Sequence, residues 1–171
     1  MYEVKNVKPF DSPDGGGFNA TLYCDGKRVG SVHDGGYGAE YQYSWVTAEA
    51  KSDFYESLKN TLVDETVIKD GQEVKTGKKK LATKEWGDMA DDVMVGDMVE
   101  DFLNRKKFKS TIKRLIVYCK DGDIYAFSSK IKPVALSELR PKILKRYGED
   151  TIILNDLPFE EGYSLWMEKA Q

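Results

Sequence analysis

Histidine and cysteine are scarce in this chain. Its 171 residues include one histidine, His33, and two cysteines, Cys24 and Cys119. Zinc needs three or four well-spaced ligands, and no CxxC or HxxxH spacing supplies them. The cysteines stand inside strand patterns and read as small buried hydrophobes in a reducing cytoplasm. No apolar run approaches the roughly 20 residues of a membrane span, and no basic-then-apolar secretory segment opens the sequence. A charge excess is missing too. Lys+Arg number 26 against 29 Asp+Glu, net −3, so nothing draws the whole chain to nucleic acid or an anionic membrane. What remains is an ordinary globular balance, 40% hydrophobic and 32% charged. The length suits one full core and is short for two large domains.

The most legible stretch is 15–45. Residues 18–24 alternate Phe18, Ala20, Leu22 and Cys24 against Asn19, Thr21 and Tyr23, the period of a strand. Asp25-Gly26 follows, a dipeptide suited to a two-residue hairpin turn because both positions tolerate positive φ. That turn predicts Leu22 opposite Val29 and Phe18 opposite His33, with His33 on the core face. A second turn, Asp34-Gly35-Gly36, leads into residues 39–45. There Tyr37, Tyr41, Tyr43 and Trp45 share one parity. The pattern is an antiparallel meander with one aromatic face, either sheet core under a helix or a contact surface. Core is favoured for Tyr43 and Trp45. Tyr37, in its glycine-rich turn, is the better contact candidate.

The rest of the chain divides as follows. Residues 1–10 start with a short strand, and the segment DSPDGGG, 11–17, reads as a loop. Thr47 is a helix N-cap with Glu49 behind it, and Ala50, Phe54, Leu58 and Leu62 mark a buried stripe to about Val63. Residues 64–80 lack a period. Within them 67–74 fits either a small hairpin or a loop, and 76–80 is polar and exposed. Thr83 restarts helix, with Trp86, Met89, Ala90 and Val93 on one stripe. Gly96 interrupts it, and Val99, Phe102 and Leu103 resume it, giving two helices or one bent helix to about Lys113. A second hairpin, 114–127, turns at Asp121-Gly122 and pairs Lys120 with Asp123, Cys119 with Ile124 and Tyr118 with Tyr125. It should lie centrally in its sheet. Pro133 ends the strand region. Helix follows over 136–147 with a kink or restart at Pro141 and a cap at Gly148. Residues 151–154 form a short strand. Asp156 caps a last helix that buries Phe159, Tyr163, Trp166 and Ala170. This order predicts an α+β fold, an antiparallel meander and hairpin sheet with helices packed on it. One domain is expected, or two tightly packed halves, 1–64 and 81–171.

Several constellations invite a functional reading. His33 with Asp34 and Cys24 lacks the spacing of a metal or nucleophile site and reads as a packed or turn histidine. The glycines of 34–38 are followed by a strand pattern, whereas a phosphate cradle needs a helix N-terminus there. Paired acids such as Asp91-Asp92 and Glu160-Glu161 point in different directions on a helix and read as solvated or capping. The region 85–101 carries Glu85, Asp88, Asp91, Asp92, Asp97, Glu100 and Asp101. The basic stretch 105–114 carries Arg105, Lys106, Lys107, Lys109, Lys113 and Arg114, with Phe108 among them. Its cations can neutralise phosphates and Phe108 can stack on a base. The plain alternative is a solvated helix face whose cations suit the C-terminal dipole end.

Two segments resemble a family of small uncharacterised proteins encoded by tailed phages and prophages. One is FNATLYCDGK, 18–27, with its glycine-rich turn. The other is ILNDLP, 153–158, with the hairpin 115–127 before it. His33-Asp34 stands where the family pattern has a Ser-Asn-type pair, so a function attached to that turn does not carry over. The resemblance implies a phage or mobile-element origin and action in a bacterial cytoplasm. It brings no activity, cofactor or catalytic residue.

The expectation is a non-enzymatic accessory protein that inhibits or modulates a host machine, an anti-CRISPR-like anti-defence factor being the sharpest form. Its partner is a host protein or nucleoprotein complex. Tyr37 would contact that partner, and Asp88, Asp91 and Asp92 would mimic phosphates. The alternative is a nucleic-acid-binding accessory protein using Arg105, Lys106, Lys107, Phe108, Lys109 and Lys113. An enzyme built around His33, Asp34 and nearby acids is the third reading. No cofactor, metal or membrane is implied, and the oligomeric state is open.

Overall fold

The structure is a computed structural model that describes residues 1–69, 71–127 and 136–169. It is α+β, with antiparallel sheets and helices. Two compact units form, Met1–Phe102 and Leu103–Gln171. The boundary falls inside a helix, not in the segment 64–80.

The first unit begins with a four-stranded meander in chain order, β1 (Tyr2–Ser12), β2 (Gly15–Cys24), β3 (Lys27–Asp34) and β4 (Gln42–Trp45). The segment 11–17 is not a loop. Asp11 pairs with Gly16 and Phe10 with Gly17, leaving only Pro13 and Asp14 in the turn. Glycine is required here for room: a Cβ on Gly17 would lie 2.5 Å from the Asp34 carbonyl oxygen and 2.7 Å from the Phe10 ring.

Asp25-Gly26 is the expected tight turn, with φ of 47° and 77° and Cys24 opposite Lys27. The register beyond it differs from the simple continuation. Tyr23 faces Arg28 but Leu22 faces Gly30, so Val29 is an extra, bulged residue. One residue of slip moves His33 opposite Asn19, off the core face and beside the ring of Phe10.

The core face holds Val4, Phe18, Ala20, Leu22 and Val32. Helix α1 (Ala48–Asn60) covers it, started by the Thr47 cap, whose hydroxyl accepts from Ala50 N–H at 3.1 Å. Phe54, 0% exposed, inserts between Tyr2 and Trp45, with ring centroids 5.1 Å from each. Tyr43 and Trp45, both half-buried, therefore pack against the core through Phe54. Leu62 is exposed, because the chain has already left the helix for strand.

Strand β5 (Leu62–Lys69) pairs antiparallel with β6 (Gln72–Leu81). A short helix α2 (Ala82–Glu85) and a 3₁₀ turn (Gly87–Met89) precede α3 (Ala90–Arg114). Met89 is exposed in the turn, and Val95 is fully buried instead. The wound-up turn shifts the buried stripe away from the straight-helix expectation.

In the second unit, β7 (Ile116–Lys120) lies between β8 (Asp123–Phe127) and β9 (Ile152–Ile153). Asp121-Gly122 is the turn, and the three expected pairs occur. Only β7 is central and buried. β8 lies at the edge of this sheet, with Tyr125 and Phe127 exposed. Phe108 and Ile112 of α3 and Tyr163 of α5 (Phe159–Lys169) pack with Val117 and Cys119. Ile143 of α4 (Leu136–Tyr147) packs with Ile116, Tyr118 and Ile153. Adjacent strand residues face opposite ways, so the unit has three layers: α3 and α5, the sheet, then α4. Helix α4 runs through Pro141 without a restart and ends at Gly148, φ 100°. The strand 151–154 shrinks to two residues, and Leu154–Asp156 is a 3₁₀ turn. Asp156 pairs with Arg140 at 3.2 Å. The expectations for Pro133 and Ala170 lie outside the described residues.

Candidate functional site

In the first unit the loop after β3 is built to hold its shape. The Asp34 carboxylate accepts from Gly36 N–H at 2.8 Å, and the Ser12 hydroxyl donates to the Gly36 carbonyl at 3.4 Å. Gly36, φ 74°, sits against the Gly16-Gly17 backbone, where a Cβ would come within 3.0 Å. Past this anchor Tyr37 is 64% exposed, and its ring lies beside Gly35, where a Cβ would be 2.8 Å away. The loop thus presents one aromatic ring on a fixed base.

Beside the loop lies an open cleft of about 450 Å³, lined by Asp34, Tyr41, Met89, Asp92, Gly96 and Asp97 among others. Tyr41 lies close over Gly96. Asp97 is exposed, yet partial desolvation by the cleft wall raises its carboxyl above the ordinary value, with Glu100 adding to it. Burial also raises Tyr41, helped by Asp34, Asp92 and Asp97. Carboxylates dominate the field of this cleft.

The three acids expected to mimic phosphates are not equivalent. Asp88 is exposed. Asp91 accepts from the Tyr55 hydroxyl at 2.8 Å. Asp92 is 8% exposed and accepts from Tyr41 N–H and the Tyr43 hydroxyl, both at 2.9 Å. It is therefore a fastening between α3 and β4, not a phosphate mimic. Burial and these carboxylates push the Tyr43 phenol well above its ordinary value, and Tyr55 up to about 12. The reading of Asp91-Asp92 as solvated acids is corrected for the same reason. Tyrosines on α1 and the sheet supply hydroxyls that sequence spacing did not connect to the helix.

In the second unit Phe108 is 0% exposed and packs among Phe159, Tyr163 and Trp166. It cannot stack on a base. Arg105 Nη1 donates to both Glu160 carboxylate oxygens at 2.8 Å and its guanidinium lies 4.6 Å from the Tyr163 ring centroid. It serves the packing of α5 on α3. Lys107 reaches over Trp166 at 5.7 Å. Lys106, Lys109 and Lys113 are exposed, and among the described residues none has a carboxylate at ion-pair distance.

His33, Asp34 and Cys24 do not converge. The His33 ring pairs with the Asn19 side chain at 3.0 Å, and Asp34 is spent on the loop. Cys24 is five residues along β2 from Asn19, about 16 Å at strand rise. Among the described residues no cluster of three or more His, Cys, Asp or Glu side chains is placed to hold a metal.

Asn155, within the segment ILNDLP, has a structural task. Its carbonyl oxygen accepts from Val117 N–H at 2.8 Å, and its amide donates to the carbonyls of Ile112, 2.7 Å, and Leu115, 3.0 Å. One side chain thus satisfies the end of α3 and the start of β7.

Comparison with protein-family models, curated proteins and solved structures finds no significant match.

Proposed function

We propose that this is a non-enzymatic binding protein whose first unit docks on a basic surface of a protein partner. The supporting observation is the pinned loop, which exposes Tyr37 while Gly36 and Gly38 on either side of it line the acidic cleft. Exposed aromatics on rigid supports make good interface anchors, because little side-chain freedom is lost on binding. The field suits a basic partner. Met1–Phe102 carries 12 Lys+Arg and 20 Asp+Glu, net −8. Such a field steers association.

The resemblance of 18–27 and 153–158 to phage-encoded proteins supports a narrower form. The partner is then a bacterial host machine that handles nucleic acid, its basic site is what Tyr37 and Asp97 cover, and the outcome is inhibition of an anti-CRISPR kind. The dispersal of His33, Asp34 and Cys24 supports a non-catalytic role.

The test starts by retrieving the partner from bacterial lysate with the full chain as bait, then measuring affinity for the purified partner. Tyr37→Ala should weaken binding at least tenfold, on the order of 1.4 kcal/mol or more. Association should slow as salt rises from 50 to 200 mM. A partner bound equally by Tyr37→Ala and by Asp97→Lys rules out this surface.

A further inference from the structure

The second unit reverses the charge of the first. Leu103–Gln171 carries 14 Lys+Arg and 9 Asp+Glu, net +5. Five of those cations lie on the outer side of α3. Measured around the helix from Phe108, which points into the core, Lys109, Lys113 and Lys106 fall at roughly 100° to 160°. Arg114 and Lys107 fall at roughly 240° to 260°, with Ser110 between the two groups. Residues 103–114 contain no acid. The outward face is therefore basic from edge to edge.

The helix dipole does not account for it. That effect fades within the last turn, which explains Lys113 and Arg114 but not Lys106 and Lys109. Internal ion pairing does not account for it either, since the one cation with a carboxylate partner here, among the described residues, is Arg105. Lys106 to Lys113 covers about 10 Å of helix axis, a length over which duplex nucleic acid presents about six phosphates. Lysines serve phosphates as point charges, without the planar fork that picks out one carboxylate. A membrane surface would want apolar side chains on the same face, and this face has none.

We infer that the outer face of α3 in the second unit is a sequence-independent contact for the nucleic-acid backbone, carried by Lys106, Lys109 and Lys113. Phe108 and Arg105 support the face from beneath and make no contact. This goes beyond the protein-binding role of the first unit and does not depend on it.

The experiment measures fluorescence anisotropy of a labelled 20-base-pair duplex of arbitrary sequence with the full chain, between 50 and 200 mM salt. Each lysine contact should contribute roughly −0.9 to the slope of log affinity against log salt, so about −2.7 for the three. Lys106→Glu with Lys109→Glu and Lys113→Glu should abolish binding at 50 mM. Lys106→Arg with Lys109→Arg and Lys113→Arg should keep both affinity and slope, a result independent of any folding defect in the Glu variant. The control is Lys142→Glu with Lys145→Glu, on exposed positions of α4 across the sheet. It should bind like the parent. The inference is overturned if the parent does not bind at 50 mM, if the α4 variant loses as much as the α3 variant, or if a polyglutamate peptide is bound more tightly than the duplex.

Discussion

Glu85 has its carboxylate held by Thr66 N–H and the Thr66 hydroxyl, both at 2.7 Å, and by Lys80 at 3.0 Å. These donors, the backbone N–H first, lower its carboxyl from 4.5 to about 2. A folded-state value below the unfolded one stabilises the fold above the unfolded value. That stability is lost as pH falls from about 4.5 through about 2. Thermal unfolding of Glu85→Gln should therefore lose part of the parent's pH dependence in that window and match its slope at pH 6 to 8. Asp92 gives a larger effect. Asp92→Ala strands a phenol and a backbone N–H, and should cost about 3 kcal/mol by urea unfolding. His33→Ala, on the open sheet face, should cost less than about 1 kcal/mol and leave partner binding intact.

Among elements, the 3₁₀ turn Leu154–Asp156 concentrates several roles in three residues. Leu154 is buried and Asn155 bonds to two carbonyls and one N–H of α3, β7 and their junction. Asn155→Ala should destabilise by about 2 to 4 kcal/mol, and Asn155→Asp should not rescue it, because a carboxylate cannot donate to Ile112 and Leu115. Near-UV circular dichroism at Tyr163 and Trp166 would report the loss. The side chain at the centre of ILNDLP is thus occupied internally. In the first meander, Gly17→Ala should unfold at lower temperature than Gly16→Ala, because only Gly17 is pressed against Phe10 and Asp34.

At the scale of the molecule, charge is sorted by unit, −8 against +5, inside a net of −3. Net charge alone makes the protein acidic, with a pI near 5.4. Local fields rather than the sum govern contact with a charged matrix. At pH 7 and low salt the chain should be retained by an anion exchanger and also by heparin. Lys106→Glu with Lys109→Glu and Lys113→Glu should lose the heparin retention alone. Retention on the anion exchanger only, by the parent, would place the dominant field in the first unit.

Period and turn chemistry settled much of the architecture from the chain itself. Both Asp-Gly turns, the Thr47 cap, the register of β7 with β8, and the shared inner face of Tyr43 and Trp45 are local consequences of side-chain alternation and positive φ. The same local rules misplaced His33, because a bulge at Val29 changes parity and depends on how β3 meets both neighbours. They missed the strand character of 11–17, since glycine's low strand preference yields when a partner strand and a tight contact are present. The acid cluster and the basic stretch were visible as composition, but not their division of labour. Whether Asp92 faces water or Tyr43, and whether Phe108 faces a base or Tyr163, is decided by the rotation of α3 against residues 49 to 55 positions away. Helix periodicity defines the angles between side chains, and only packing decides which of those angles points inward.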